Sequence, residues 1–228
     1  MILSSSTQTI KLALIGATGR LGEKIVQVAS SHPFFEVSLC FDSKHPAYHH
    51  SEIDLFLDVS TPHVLSHNLQ IAISAKKPIV VGTTGHENMT LLKEAAKDIP
   101  VFYAANFSIG MALMQRASLL FTKDLPNITS FQIKETHHAM KKDTPSGSAL
   151  TLARSISKKL PSISLQIDSK REGDVIGIHE LNIKTEHEQL TLIHEVKNRT
   201  VFAEGALAAA QFLMKKEPGL YGMEDLLS

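Results

Sequence analysis

A chain of 228 residues, 43% of them hydrophobic, is long enough to bury either one large α/β core or two smaller ones. Its 23 basic and 23 acidic side chains cancel, which removes the electrostatic drive toward nucleic acid or an anionic membrane surface. No apolar run is long enough to span a bilayer, so the expected partner is a small molecule.

The opening residues, MILSSSTQTIKLALIG, lack a basic start followed by a long apolar run and a small-residue cleavage site. With Cys40 as the single cysteine, no internal disulfide is available, and the cytoplasm is the expected compartment. Up to about residue 106, short apolar runs alternate with helix-like ones. IKLALIG, EVSLCF, DLFLDVS, KPIVVG and VFYAAN read as strands buried on both faces, with Cys40 a buried residue of the second. RLGEKIVQVASS, HVLSHNLQIAISA and ENMTLLKEAAKD repeat apolar residues every three or four positions, as amphipathic helices do. The segment SKHPAYHH is a polar connection where a βα unit would place a helix. This rhythm predicts a Rossmann-like, doubly wound parallel sheet with its ligand crevice at the carboxyl ends of the strands.

After NFSIG the pattern changes. A helix, MALMQRASLLFTKDL, leads to the strand ITSFQIKETHH, then to a helix begun by PSGSAL, then to the strands SISLQI, IHELNIKTE and QLTLIHEVK. That order predicts a smaller α+β domain with a mixed or antiparallel sheet. The expected division is residues 1–107 for dinucleotide binding, completed by the C-terminal segment 200–228 with its helix FAEGALAAAQFLMKK, and 108–199 for substrate binding and oligomerisation.

Gly16, Gly19 and Gly22 follow the first strand directly in LALIGATGRLG. Glycines there allow a tight turn and close approach to a pyrophosphate, which the next helix stabilises with its N-terminal amides and dipole. Alone, this GxxGxxG spacing also fits a plain strand-to-helix turn; its position at the first βα junction favours a nucleotide site. Asp42 ends the second strand, where a carboxylate can bind an adenosine ribose and repel the extra phosphate of NADP. Arg20 and Lys44 can instead pair with that phosphate, with neutral Ser43 between the two cases, so NADH and NADPH both stay open. Gly82, Thr83 and Thr84, and Ala104 to Phe107, end later strands on the same edge and are candidates for the nicotinamide end.

In ETHHAMKKDTPSGSAL the strand ends near the histidines, so His137 and His138 project in different directions. Pro145 turns the chain and Ser146 can cap the following helix. The amides of Gly147 and Ser148, with the Ser148 hydroxyl, then form an anion site, to which Lys141 or Lys142 adds positive charge. The combination reads as a carboxylate receptor beside imidazoles able to move protons near neutral pH. Zinc is not expected, because adjacent histidines chelate one ion poorly, no HExxH occurs and there is one thiol. His49, His50, His179, His187 and His194 read as surface or structural.

These motifs resemble the 4-hydroxy-tetrahydrodipicolinate reductase, or dihydrodipicolinate reductase, family. GATGRLG, GTTG, AANFSIGM, ETHHAMKKDTPSGSA, NRTVFAEGA and GLYGMEDLL occur in that family's order along nearly the whole chain. The resemblance implies hydride transfer from NADH or NADPH to a cyclic imine dicarboxylate in diaminopimelate and lysine biosynthesis. It implies His137 as acid/base and Lys141, rather than Lys142, as proton donor. His138, Ser146, Gly147, Ser148 and Arg199 would hold the substrate. Gly16, Ala17, Thr18, Gly19, Arg20, Leu21, Gly22, Asp42, Ser43, Lys44, Gly82, Thr83, Thr84, Ala104, Ala105, Asn106 and Phe107 would hold the cofactor. It further implies a homotetramer joined through the second-domain sheets. The chain departs from the family pattern in an abbreviated connection after Asp42, in Ser43 at an often basic position, and in Thr144 and Ser148 where alanine and threonine are usual. Another nicotinamide-dependent imino or amino acid oxidoreductase would share the glycine turn without requiring the histidine-lysine-PSG unit. A non-catalytic dinucleotide sensor would not need intact His137 and Lys141.

Overall fold

In the computed structural model, which describes residues 9–41, 53–85 and 89–228, strand β1 (Ile10–Ile15) sends Leu12 and Leu14 into one hydrophobic cluster and Ala13 and Ile15 into another. Successive side chains of a strand point to opposite faces, so an uninterrupted apolar run must be covered on both sides. The same division recurs in β3 (Leu55–Asp58), where Leu55 and Leu57 oppose Phe56, and in β4 (Ile79–Val81), where Val80 opposes its two neighbours. With β2 (Phe35–Phe41), β5 (Pro100–Tyr103) and a late strand, β10 (Gly219–Tyr221), these form a six-stranded sheet of order β2-β1-β3-β4-β5-β10. All its pairings are parallel.

One face is covered by α1 (Arg20–Ala29) and by α6 (Thr200–Leu213), whose Ala203, Ala206, Ala209 and Ala210 are fully buried. Small residues let α6 lie close: a Cβ on Gly205 would stand 1.8 Å from the Phe107 carbonyl oxygen. The other face is covered by α2 (Leu65–Ala75) and α3 (Met89–Ala95). The chain leaves β1 to β2 on one side and returns to β3 on the other, so the sheet reverses direction between β1 and β3, where doubly wound folds hold ligands. Strand β10 and the short helix α7 (Met223–Leu226) have no counterpart in the sequence reading, because three or four residues carry no measurable periodicity. Cys40 is exposed rather than buried: β2 is the edge strand of the sheet.

Contacts place the chain up to Phe107 together with Thr200–Ser228 in one unit and Ser108–Arg199 in a second. In the second, α4 (Ile109–Asp124) precedes β6 (Ser130–His137), which α5 (Gly147–Lys159) connects to β7 (Ser164–Arg171). Strands β8 (Gly177–Lys184) and β9 (Gln189–Val196) complete a mixed sheet of order β7-β6-β8-β9, parallel only between β6 and β7. One face buries Phe131, Ile133, Leu181 and Ile183 against Met111 and Met114 of α4 and Leu152 and Ile156 of α5. The other face carries polar ladders, with Gln132 donating to Asp168 and Lys134 pairing with Glu180.

Candidate active site

Strand register assembles the second unit's polar cluster. Alternate residues of β6 face the core, so Glu135 and His137 continue the row begun by Phe131 and Ile133, now toward the open end of the sheet. His137 is paired with Arg171 of β7, Glu135 with His179 of β8, and His179 with His194 of β9. Four strands thereby present these side chains to one place.

Glu135 is 1% exposed. Its Oε1 accepts a 2.9 Å ion-pair hydrogen bond from Arg171 Nη2 and a 3.3 Å bond from the Ser146 amide, and its Oε2 contacts Nδ1 of His137. Burial works to raise the Glu135 pKa, but the hydrogen bond from Arg171 and the one from His137 outweigh it and hold the carboxyl below its usual range. Burial lowers the His137 pKa; the Glu135 carboxylate opposes that shift, and Lys141 and Arg171 add to it. His137 lies at the end of β6, where a Cβ on Gly177 would come within 3.1 Å of its Nε2.

His179 is 3% exposed, edge-on to the His137 ring at 5.2 Å, with Nε2 3.2 Å from Ser146 Oγ. Burial, and secondarily the positive potential of the His137 and His194 rings, push its pKa down to about 4, so it is neutral at physiological pH. Ser146 caps α5 by accepting from the Ala149 amide. A Cβ on Gly147 would meet nothing within 4 Å, which leaves the first turn of α5 open to a ligand group. Lys141 is half-buried and donates a 2.8 Å hydrogen bond to Asp143, whereas Lys142 is exposed. His194 repeats the His179 arrangement at α4, its Nε2 3.0 Å from Oγ of Ser108, which caps that helix.

Glu135, His137 and His179 offer ligand atoms within 4.8 Å of one another. The Glu135 carboxylate already binds the Arg171 guanidinium, and a cation added there would face that fixed positive charge, so the trio suits proton chemistry better than metal binding.

In the first unit, Gly16 follows β1 with φ +90°, and a Cβ on it would stand 2.7 Å from the Val59 carbonyl oxygen beyond β3. A Cβ on Gly22 would stand 2.1 Å from the Gly16 oxygen. Both positions exclude any side chain, and they lie at the reversal point of the sheet. Gly19 is the N-cap of α1 and makes no side-chain cap, while Thr18, Gly19 and Arg20 are exposed. This glycine cradle fits a dinucleotide pyrophosphate. Beneath it lies Asp58, fully buried at the end of β3, accepting from the Ser60 amide at 2.9 Å, Asn68 at 2.9 Å and Thr83 Oγ1 at 2.8 Å.

The model for "Dihydrodipicolinate reductase, N-terminus" matches residues 10–107, and that for its C-terminus matches residues 110–227. The chain belongs to the dihydrodipicolinate reductase family. A 4-hydroxy-tetrahydrodipicolinate reductase of Bdellovibrio bacteriovorus is 38% identical, the match covering 96% of each chain. One of Alkaliphilus oremlandii is 35% identical over 95% of this chain and 98% of its own. A dihydrodipicolinate reductase from Paenisporosarcina, solved with dipicolinate bound, shares the fold at a TM-score of 0.85, 24% identity, and coverage of 96% and 99%. Membership in the dihydrodipicolinate reductase family carries NAD(P)H-dependent reduction of 4-hydroxy-tetrahydrodipicolinate in diaminopimelate and lysine biosynthesis.

Within this family fold, His137, Ser146 and the start of α5 converge, and half-buried His138 and Ser148 flank them. Arg199 is half-buried in the turn after β9. Gly16, Ala17, Leu21, Gly22 and Gly82 sit at the carboxyl edge of the parallel sheet, with exposed Thr84 and Ala105. Thr83 is buried on Asp58, Ala104 is buried, and half-buried Asn106 follows Ala105. Phe107 is 2% exposed, with its ring under Gly82, where a Cβ would stand 2.5 Å away; its side chain is core, and only its backbone is left to meet a ligand. Asp42, Ser43 and Lys44, like His49 and His50, lie outside the described residues. Of the two readings of His179, surface or structural, burial excludes the first, and its ring packs on His137. Glu135, Arg171 and Asp58 are absent from the sequence reading. A charged residue on the apolar-facing phase of a strand is the signal that could have found Glu135.

Proposed function

We propose that the second unit binds the planar cyclic imine dicarboxylate and protonates it, while the first unit holds NADH or NADPH. The observation that carries this reading is the Glu135–His137 pair set beside the open first turn of α5 and the Lys141 ammonium. When bound, the dinucleotide supplies the hydride. Gly16 to Gly22 hold its pyrophosphate, Gly82 to Thr84 and the backbone of Ala104 to Phe107 hold its nicotinamide end, and Asp42, Ser43, Lys44 and Arg20 meet the adenosine ribose. This mixed ribose set suits use of both dinucleotides.

One substrate carboxylate is received by the amides of Gly147 and Ser148 and the hydroxyls of Ser146 and Ser148, where the α5 dipole favours negative charge. His138 and Arg199 take up the other. Lys141, the proton donor, faces the electron density that reduction leaves on the ring, a charge complement that strengthens toward the transition state. His137 serves as acid/base through Nε2. The bound dipicolinate of the Paenisporosarcina enzyme is a flat dicarboxylate of the class this receptor suits. The uncovered face of the mixed sheet, with its side-chain ladders and Ile193 at 66% exposure, supports a homotetramer joined through that sheet. One cysteine, and no described helix long and apolar enough to cross a membrane, support the cytoplasm as the compartment.

The test is oxidation of NADH and NADPH, in parallel, with freshly generated 4-hydroxy-tetrahydrodipicolinate. Rapid oxidation of both is expected. Intact cofactor binding with no oxidation would overturn the reading in favour of another substrate.

A further inference from the structure

His137 cannot act through Nε2 unless something decides which of its two nitrogens carries the proton. A neutral imidazole donates from one nitrogen and accepts at the other, and the partner of one sets the task of the other. Among the described residues, the partner at Nδ1 is Oε2 of Glu135, while Nε2 lies beside Gly177, the one position on β8 where the lack of a side chain leaves it room.

Glu135 itself has a defined state. Its Oε1 receives two donors, the Arg171 guanidinium at 2.9 Å and the Ser146 amide at 3.3 Å. An acceptor of an ion pair and an amide at full burial is a carboxylate, and a carboxylate only accepts. The proton in the Glu135–His137 contact therefore belongs to His137 Nδ1, which leaves the Nε2 lone pair free.

We infer that Glu135, anchored by Arg171, is the positioning residue that holds His137 in its Nδ1–H form and aims Nε2 at the substrate. This rests on His137 being the acid/base assigned above. The Ser146 amide bond adds a consequence: one carboxylate fixes both the imidazole and the first residue of the α5 cap, so proton transfer and carboxylate capture share a single anchor. The charged and titratable groups around the His137 ring are Glu135 on β6, Arg171 on β7, His179 on β8, and Lys141 with its partner Asp143 in the following loop. Only Glu135 favours the protonated ring strongly.

The experiment is histidine nitrogen NMR of the full chain, with the His137 signals assigned by their loss in His137→Gln. In the native chain at neutral to alkaline pH they are expected at Nδ1–H positions. In Glu135→Gln the ring should need about tenfold more acid to protonate. The same variant should lower kcat about tenfold or more and move the His137 ionisation in the pH profile downward. Glu135→Asp should restore part of kcat. An Nε2–H ring in the native chain overturns the inference, as does an unchanged midpoint in Glu135→Gln. If that variant does not fold, the native tautomer decides. The NMR readout needs no turnover, so an Nδ1–H ring in a chain inactive on the substrate would refute the proposed function and leave the Glu135 assignment standing.

Discussion

Thr83 donates a 2.8 Å hydrogen bond to Asp58, joining the end of β4 to the end of β3 across 25 residues of sequence. Asp58 is fully buried and also receives Ser60 and Asn68, so it ties together the strand ends beside the Gly16 turn. Removing it strands several donors away from water. Asp58→Ala is expected to cost about 3 kcal/mol in urea denaturation and to weaken NADH binding about tenfold or more. Native stability and affinity would mean that the strand ends hold their positions without it.

Gly16 combines a left-handed φ of +90° with a Cβ position 2.7 Å from backbone. Alanine there meets both strain and collision, so Gly16→Ala is expected to lose about 2 kcal/mol and most of its NADH affinity by fluorescence titration. Unchanged affinity would remove the pyrophosphate from this turn.

Lys141 contacts Asp143 and lies in the loop after β6, within the second unit. If it is the proton donor, Lys141→Ala lowers kcat about a hundredfold or more while NADH titrates as in the native chain. Lys142→Ala, at an exposed position, serves as the control and should keep its turnover. Normal turnover of the Lys141 variant would dismiss the role.

His179 links stability to pH. Its pKa falls from 6.5 in the unfolded chain to about 4 in the folded one, so the unfolded chain takes up the proton first as pH drops. The stabilisation is complete above pH ~6.5 and is lost progressively down to pH ~4, amounting to about 2 kcal/mol between pH ~7 and ~5. Burial depresses the pKa of His137 and His194 in the same direction. Urea midpoints at the two pH values should therefore converge in His179→Gln relative to the native chain. An equal drop in both proteins would show that His179 titrates normally.

Much of this was legible in the sequence because it is local. Apolar runs covered on both faces dictated a parallel sheet, since β1 has no polar phase to expose. The glycines of GATGRLG announced a turn that admits no side chain, and the serine of PSG announced a helix cap; both depend on neighbours within a few residues. The histidine–lysine–PSG segment likewise marked where β6 ends and α5 begins. What tertiary structure decided is the company these residues keep. Glu135 meets Arg171 from 36 residues away, and His179 reaches Ser146 from 33. Those meetings follow from strand register, which is set by the packing of whole faces, and a one-residue slip would turn each of these side chains to the other side of the sheet. The sequence by itself thus determined which chemical groups are available. The register of β6, β7 and β8 determined which of them share a buried, low-dielectric site, and with it the ionised state of Glu135 and the neutral state of His179.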